Sequence, residues 1–187
     1  NKANDIASSA LSNKPKDHAE VDFSSPVEPD SFEPFRIRTK AGELCFQFPE
    51  KAVGTIEISG KSRTGKVAQG KVCFAQGDRL CFTNDINWPR YARQWNCFGP
   101  DDLVGITVSA GKTPLPADHV HEICKKSLLS ELYLEDTDIG APLIDEINKL
   151  PYLLSLKIHD GKLKPEDYLR LKRLPWLWRF NLFDCTD

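Results

Sequence analysis

The feature that most constrains this chain is a repeat of period 24 in its second half. Leu129-x-x-Leu132-x-Leu134-x-x-Thr137 returns as Leu153-x-x-Leu156-x-Ile158-x-x-Gly161, and again as Leu177-x-x-Phe180-x-Leu182-x-x-Cys185. Once that register is set, further columns agree: Ile139 with Leu163, Ile144 with Tyr168, Ile147 with Leu171, Leu150 with Leu174 and Pro151 with Pro175. A degenerate copy, Leu103-x-x-Ile106-x-Val108-x-x-Gly111, lies 26 residues before Leu129. The alternation at Leu132 and Leu134 is that of a short strand with one buried face, and Ile144, Ile147 and Leu150 have helical spacing. Such a unit cannot bury its apolar side alone and needs neighbours stacked on it.

The spacing L-x-x-L-x-L-x-x-N/C-x-L, with a period of about 20–29 residues, is that of the leucine-rich repeat. The expected fold is therefore α/β: a leucine-rich-repeat solenoid of about four repeats, with parallel strands and helical returns. Thr137, Gly161 and Cys185 stand where Asn ordinarily caps turn amides, so looser turns are expected there.

The rest of the chain divides around this array. Residues 1–34 are rich in Ser, Pro, Asp, Asn and Lys without an apolar period, and read as a disordered tail or linker. Residues 35–86 carry short alternating runs (Phe35–Arg38, Leu44–Phe48, Thr55–Ile58, Lys71–Phe74, Leu80–Phe82) separated by Gly-containing turns. This predicts a small antiparallel β domain capping the solenoid, with residues 87–187 as the repeat domain. The repeat register also runs backwards, through Gly77-x-x-Leu80-x-Phe82 and Val53-x-x-Ile56-x-Ile58, which would make six repeats. Gly77 would then place no side chain in the core, and the hairpin needs it as a turn residue. The β cap followed by four repeats is preferred.

From Phe48 onward the chain resembles leucine-rich-repeat proteins of planctomycete-type bacteria, in which the repeats follow a small β segment. The residues that carry the resemblance are Phe48-Pro49-Glu50-Lys51-Ala52-Val53-Gly54-Thr55-Ile56-Glu57-Ile58, Ala68-Gln69-Gly70-Lys71-Val72, Gly77-Asp78-Arg79-Leu80 and Pro100-Asp101-Asp102-Leu103. The resemblance implies the fold and a binding role, and brings no catalytic residues.

Reactive side chains offer little chemistry. The chain has no G-x-S-x-G, G-x-x-x-x-G-K-[ST], G-x-G-x-x-G or H-E-x-x-H motif. Ser62-Arg63-Thr64-Gly65-Lys66 is basic and Gly-containing but joins two strands as a loop. His119, His121 and Cys124 crowd one short segment, yet His119 and His121 at i and i+2 point apart on a helix. There the expectation is Asp118 capping a return helix, Ile123 inward and both histidines solvated. Cys73 and Cys81 flank the Gln76–Asp78 turn and could pair across a three-residue loop, although a free buried thiol is the preferred reading. Trp88, Trp95, Pro89, Arg90, Tyr91 and Arg93 form an aromatic-basic cluster, read as the junction between cap and repeats. No cofactor, metal or enzymatic activity is assigned.

What remains is a surface. In the repeat, the intervening strand residues face outward in columns, and the candidate partner-binding set is Tyr133, Glu135, Lys157, His159, Trp178, Arg179, Asn181 and Phe183. Gly105, Glu131 and Ser155 share this exposed face, as do Asp136, Asp160 and Asp184. Aromatics beside charges are typical of protein interfaces. With Trp176 and Phe180 also near the last strand, this end of the solenoid is expected to be covered by a partner. The function expected is a non-catalytic protein–protein interaction module, binding a protein partner or a second copy. A structural subunit of a larger assembly is the alternative, and a carbohydrate- or peptidoglycan-binding protein a third. Lys+Arg 25 against Asp+Glu 27 gives a net charge of −2, which disfavours nucleic acid, and no apolar run is long enough for a membrane span. A start at Asn1 and six cysteines lean toward an extracytoplasmic setting, secreted or periplasmic after processing, without fixing it.

Overall fold

Runs such as Leu44-Cys45-Phe46 and Leu80-Cys81-Phe82 favour extended backbone because their bulky side chains pack well on a pleated surface. The computed structural model describes residues 35–39, 42–61, 65–85, 92–109, 115–137, 140–161, 164–171 and 174–185. The tail expected over 1–34, the Ser62–Thr64 loop, Trp88 to Tyr91, Ile139 and Leu163, and the side chains of Arg93 and Tyr168, lie outside the described residues. β1 (Phe35–Arg38) and β2 (Leu44–Gln47) pair antiparallel. Their turn closes through Gly42, whose φ of 84° suits a residue without a Cβ. β2 also pairs antiparallel with β5 (Lys71–Phe74), completing a three-stranded sheet.

That pairing sets Cys45 directly opposite Cys73, and the two form a disulfide. The expected facing of Cys73 and Cys81 does not occur. The Gly77 turn leads from β5 into β6 (Leu80–Asn84), and the two strands belong to different sheets. Cys81, Cys97, Cys124 and Cys185 are free.

The second sheet has seven strands in the order β10-β9-β8-β7-β6-β3-β4. It contains β3 (Gly54–Ile58), β4 (Lys66–Val67), β6, β7 (Leu103–Ser109), β8 (Glu131–Glu135), β9 (Ser155–His159) and β10 (Arg179–Phe183). From β6 to β10 neighbours run parallel, whereas β3 lies antiparallel to β6 and β4 antiparallel to β3. This overturns the helical-return solenoid with a separate β cap. The molecule is sheet-rich and its large sheet is mixed. Among the described residues its α-helices are only seven or eight residues long: α1 (Ala117–Cys124), α2 (Ala141–Ile147) and α3 (Pro165–Leu171). Two of the strands expected in the cap, β3 and β6, are hydrogen-bonded into the same sheet as the repeats, because β6 places Phe82 beside Ile106 and so continues the buried column. Six repeats fail as well, since β3 runs the opposite way. The period of 24 is the pairing register itself: Leu132 stands beside Leu156 and Leu156 beside Phe180.

One apolar core runs behind this sheet. Ile106, Val108, Leu132, Leu134, Leu156 and Ile158 share it with Val120 and Ile123 of α1, Leu143, Ile144 and Ile147 of α2, and Leu171 of α3. Aromatic rings join the two sheets: Phe98 lies 5.1 Å from Phe46 of β2 and 5.0 Å from Phe82 of β6. Trp95, in the 3-10 helix Ala92–Cys97, stands edge-on to Phe82 at 5.7 Å.

Two measurements check this arrangement. Titrating thiols in denaturant without reductant should find four per chain, and six after reduction. Reducing the Cys45–Cys73 bridge should destabilise the fold by roughly 3–4 kcal/mol, the chain-entropy value for a loop of this size. Leu156 is fully buried and Leu169 on α3 is exposed. Leu156→Asp should therefore cost at least about 4 kcal/mol in urea unfolding, while Leu169→Asp should stay within about 0.5 kcal/mol of the parent.

Candidate functional site

Parallel pairing carries side-chain positions from strand to strand, and on the face of the large sheet away from the helices it produces three ladders. One runs Glu57, Cys81, Gly105, Glu131, Ser155, Arg179, and a second Thr55, Thr83, Thr107, Tyr133, Lys157, Asn181. The third runs Ser109, Glu135, His159, Phe183. Tyr133, Glu135, Lys157, His159, Arg179, Asn181 and Phe183 thus come together on one face. Trp178 does not join them. It precedes β10, its amide donates to the Leu154 carbonyl at 3.1 Å, and the Arg179 guanidinium stacks on its exposed ring at 4.6 Å. Ser155, expected to be solvated, is buried between Glu131 and Arg179.

The middle of the face is aromatic and cationic, with Lys157 Nζ 5.9 Å from the centroid of the Tyr133 ring. Burial, and then the negative charge of Glu135, Asp160 and Asp136, raises the Tyr133 hydroxyl above its ordinary value. At the C-terminal ends of the strands the face turns acidic. Asp136, Asp160 and Asp184 follow β8, β9 and β10, each in the left-handed region with φ of 50°, 51° and 48°. Asp tolerates that conformation better than most residues with a side chain. Their backbones are tied across the sheet: the Asp136 amide donates to the His159 carbonyl, and the Asp160 amide to the Phe183 carbonyl, both at 3.0 Å. The His159 ring stands among the carboxylates. Its Nδ1 lies 3.1 Å from Asp160 Oδ2 and 4.0 Å from Glu135 Oε1, and its Nε2 lies 3.7 Å from Asp184 Oδ2.

The opposite ends of the strands carry a feature that sequence reasoning missed. Val104, Leu128, Ser130, Tyr152, Leu154 and Trp176, with Arg79, line an apolar groove of about 560 Å3. Its signal was available in the chain, since Leu128, Tyr152 and Trp176 recur at the same 24-residue step, one position before each repeat.

The His119–Cys124 segment is not a site of this kind. His119 is buried and accepts a hydrogen bond at Nδ1 from Trp95 Nε1 (3.4 Å), correcting the expectation that it is solvated. Pro116, not Asp118, is the N-cap residue of α1. His121 is exposed beside Glu146, and burial pushes the Cys124 thiol up to about 12, far from thiolate character. Trp95, expected at the junction of a cap and the repeats, is fully buried edge-on to Phe82 of the large sheet.

No family model, curated protein or solved structure matches this chain.

Burial lowers the His119 pKa below its ordinary 6.5. As pH falls through 6.5 the unfolded ring takes up a proton that the folded ring refuses, so this residue subtracts stability on acidification. The loss of unfolding free energy between pH 7 and pH 5 should be smaller in His119→Gln, which keeps an acceptor for Trp95. Parallel pH dependences of the two proteins in urea melts would assign the loss elsewhere.

Proposed function

We propose that this protein is a non-catalytic protein-binding module, and that its partner contributes an extended segment along β10 while covering the neighbouring open face. One observation carries the reading. Among the described residues, nine large apolar side chains are exposed, and four of them (Trp176, Trp178, Phe180, Phe183) fall within eight consecutive positions at one edge of the large sheet. Scattered exposed hydrophobes need no explanation, but four exposed rings along one edge strand and the residues leading into it, Phe180 on its helix side and Phe183 on its open side, are the residue types that anchor interfaces. Among the described residues β10 has a neighbouring strand on one side only, and strand addition at such an edge supplies main-chain hydrogen bonds while flanking pockets supply specificity.

The alternation of the ladder supports the same mode. The Arg179 amide donates to the Leu154 carbonyl of the preceding neighbour, and the Phe183 carbonyl accepts from Asp160. Residues 179, 181 and 183 therefore turn their backbone groups toward β9, and the Leu182 amide turns away from it. Lys157, Arg179 and Asn181 on the face, with Glu135 and His159 beside them, would form the polar rim around the aromatic anchors.

The test is a random peptide library displayed on phage and selected on the immobilised protein. Selected peptides should be rich in extended, apolar sequence, and Trp178→Ser/Phe183→Ser should lose them by at least about tenfold, the scale of an interface hot spot. The melting temperature should be unchanged. Leu182→Pro, which removes an outward amide and leaves the β9 ladder intact, should weaken them as well. Peptides that bind the double variant as tightly as the parent, or an empty selection, would defeat the proposal. A purified chain that is insoluble or aggregated by itself would favour a permanent structural subunit instead.

A further inference from the structure

The acidic corner of the sheet contains an imidazole as well as carboxylates, and its geometry is repeated by construction. Each of β8, β9 and β10 is followed by an Asp of left-handed backbone, so the pairing of β9 with β10 brings Asp160 and Asp184 to the same corner. The ring of His159, one position before Asp160, points into that corner. One ligand atom each from His159, Asp160 and Asp184 can be chosen so that all lie within 4.8 Å of one another. In a bound site, metal–ligand distances of about 2.0–2.2 Å place ligand atoms roughly 3–3.5 Å apart. Closing that gap takes side-chain rotation rather than backbone movement, because the Asp184 side chain is 81% exposed.

A second observation points to a ligand. Nδ1 of His159 is buried without a hydrogen-bond partner. Asp160 Oδ2 lies 3.1 Å from it without forming a hydrogen bond. A buried polar atom with no partner is costly. Glu135 and Asp160 stand beside that nitrogen and Asp184 beside Nε2, so three carboxylates surround one imidazole whose side chain is 30% exposed. A dication would satisfy the ring nitrogen and offset the mutual repulsion of the acids.

We propose that His159, Asp160 and Asp184 form a divalent-cation site at the C-terminal ends of β9 and β10, with Glu135 at its rim. One imidazole with carboxylates suits a first-row transition ion such as Mn2+ or Zn2+ better than Ca2+, which takes an all-oxygen shell. The ion would tie β10 to β9 at the corner of the binding face. This inference rests on the corner alone and does not require the partner proposed above.

The experiment uses the full chain, freed of metal with chelator and dialysed into chelator-free buffer at pH 7.5. Mn2+ is the first probe, because the free thiols compete for Zn2+ but have little affinity for manganese. Loss of the free-ion signal in electron paramagnetic resonance should report one site per chain. Zn2+ should raise the melting temperature, and Ca2+ at the same concentration should not. Asp160→Asn/Asp184→Asn keeps residues that accept the left-handed backbone, so the metal-free variant should melt like the parent. Its Mn2+ affinity should fall at least about tenfold, the least expected when ligands rather than their supporting groups are removed. His159→Gln should give the same loss. No Mn2+ binding by the parent, equal binding by the variants, or Ca2+ binding as tight as Mn2+ would each overturn the site.

Discussion

The two sheets are one body because Phe98 touches both. Its ring meets Phe46 on the small sheet and Phe82 on the large one, and Phe48 lies within 6.1 Å of it as well. Rings of this size bury a large apolar area, and tilted pairs add about 0.5–1.5 kcal/mol beyond that area. Polar groups hold the ring in place from behind. Lys126 is buried and donates to the carbonyls of Trp95 (2.9 Å) and Phe98 (2.6 Å), at a desolvation cost that lowers its pKa. Asp102 is also buried and accepts from the Gly99 amide and from the Arg36 guanidinium of β1. Gly99 permits this approach, since a Cβ there would come within 2.0 Å of Arg36 Nη1. The small sheet is thus held by rings on one side and by a charged clasp on the other.

With that junction made, the large sheet has, among the described residues, one face covered by helices and one that is not. Parallel strands are ordinarily covered on both sides. Here the helices share a core with only one set of alternating residues, and the other set carries Thr, Glu, Lys, Tyr and His. The open face is polar through its middle and acidic at one corner. On β10 it gains the exposed ring of Phe183, while on the helix side Phe180 continues the column of Leu132 and Leu156 but is 37% exposed rather than buried. The same periodicity that builds the core therefore delivers apolar surface at its edge, and the functional proposal follows from that change along one column.

The strands and much of the open face were legible in the chain because register is a local property. Leu132, Leu156 and Phe180 share a column on a 24-residue step whatever lies behind them, and Tyr133, Lys157 and Asn181 follow as their neighbours. What misled was the inference from spacing to architecture. Helical spacing at Ile144, Ile147 and Leu150 does mark a return, but the helix there ends at Ile147, and Leu150 enters the core from beyond it. The His119 environment and the Cys45–Cys73 pair were hidden for another reason: each depends on a contact between segments that no local pattern relates.

The sequence by itself determined where strands form, which side chains alternate inward and which recur from strand to strand, since these depend on backbone sterics and a fixed period. Only the tertiary structure decided that β6 joins β7 in parallel while β3 turns antiparallel beside it, and that β5 leaves for another sheet so that Cys73 meets Cys45 rather than Cys81. Those choices turn on how Phe46, Phe82, Trp95 and Phe98 can be buried together. That burial is a collective property of distant residues: non-directional hydrophobic attraction selects whichever sheet pairing closes the core, and no single segment encodes it.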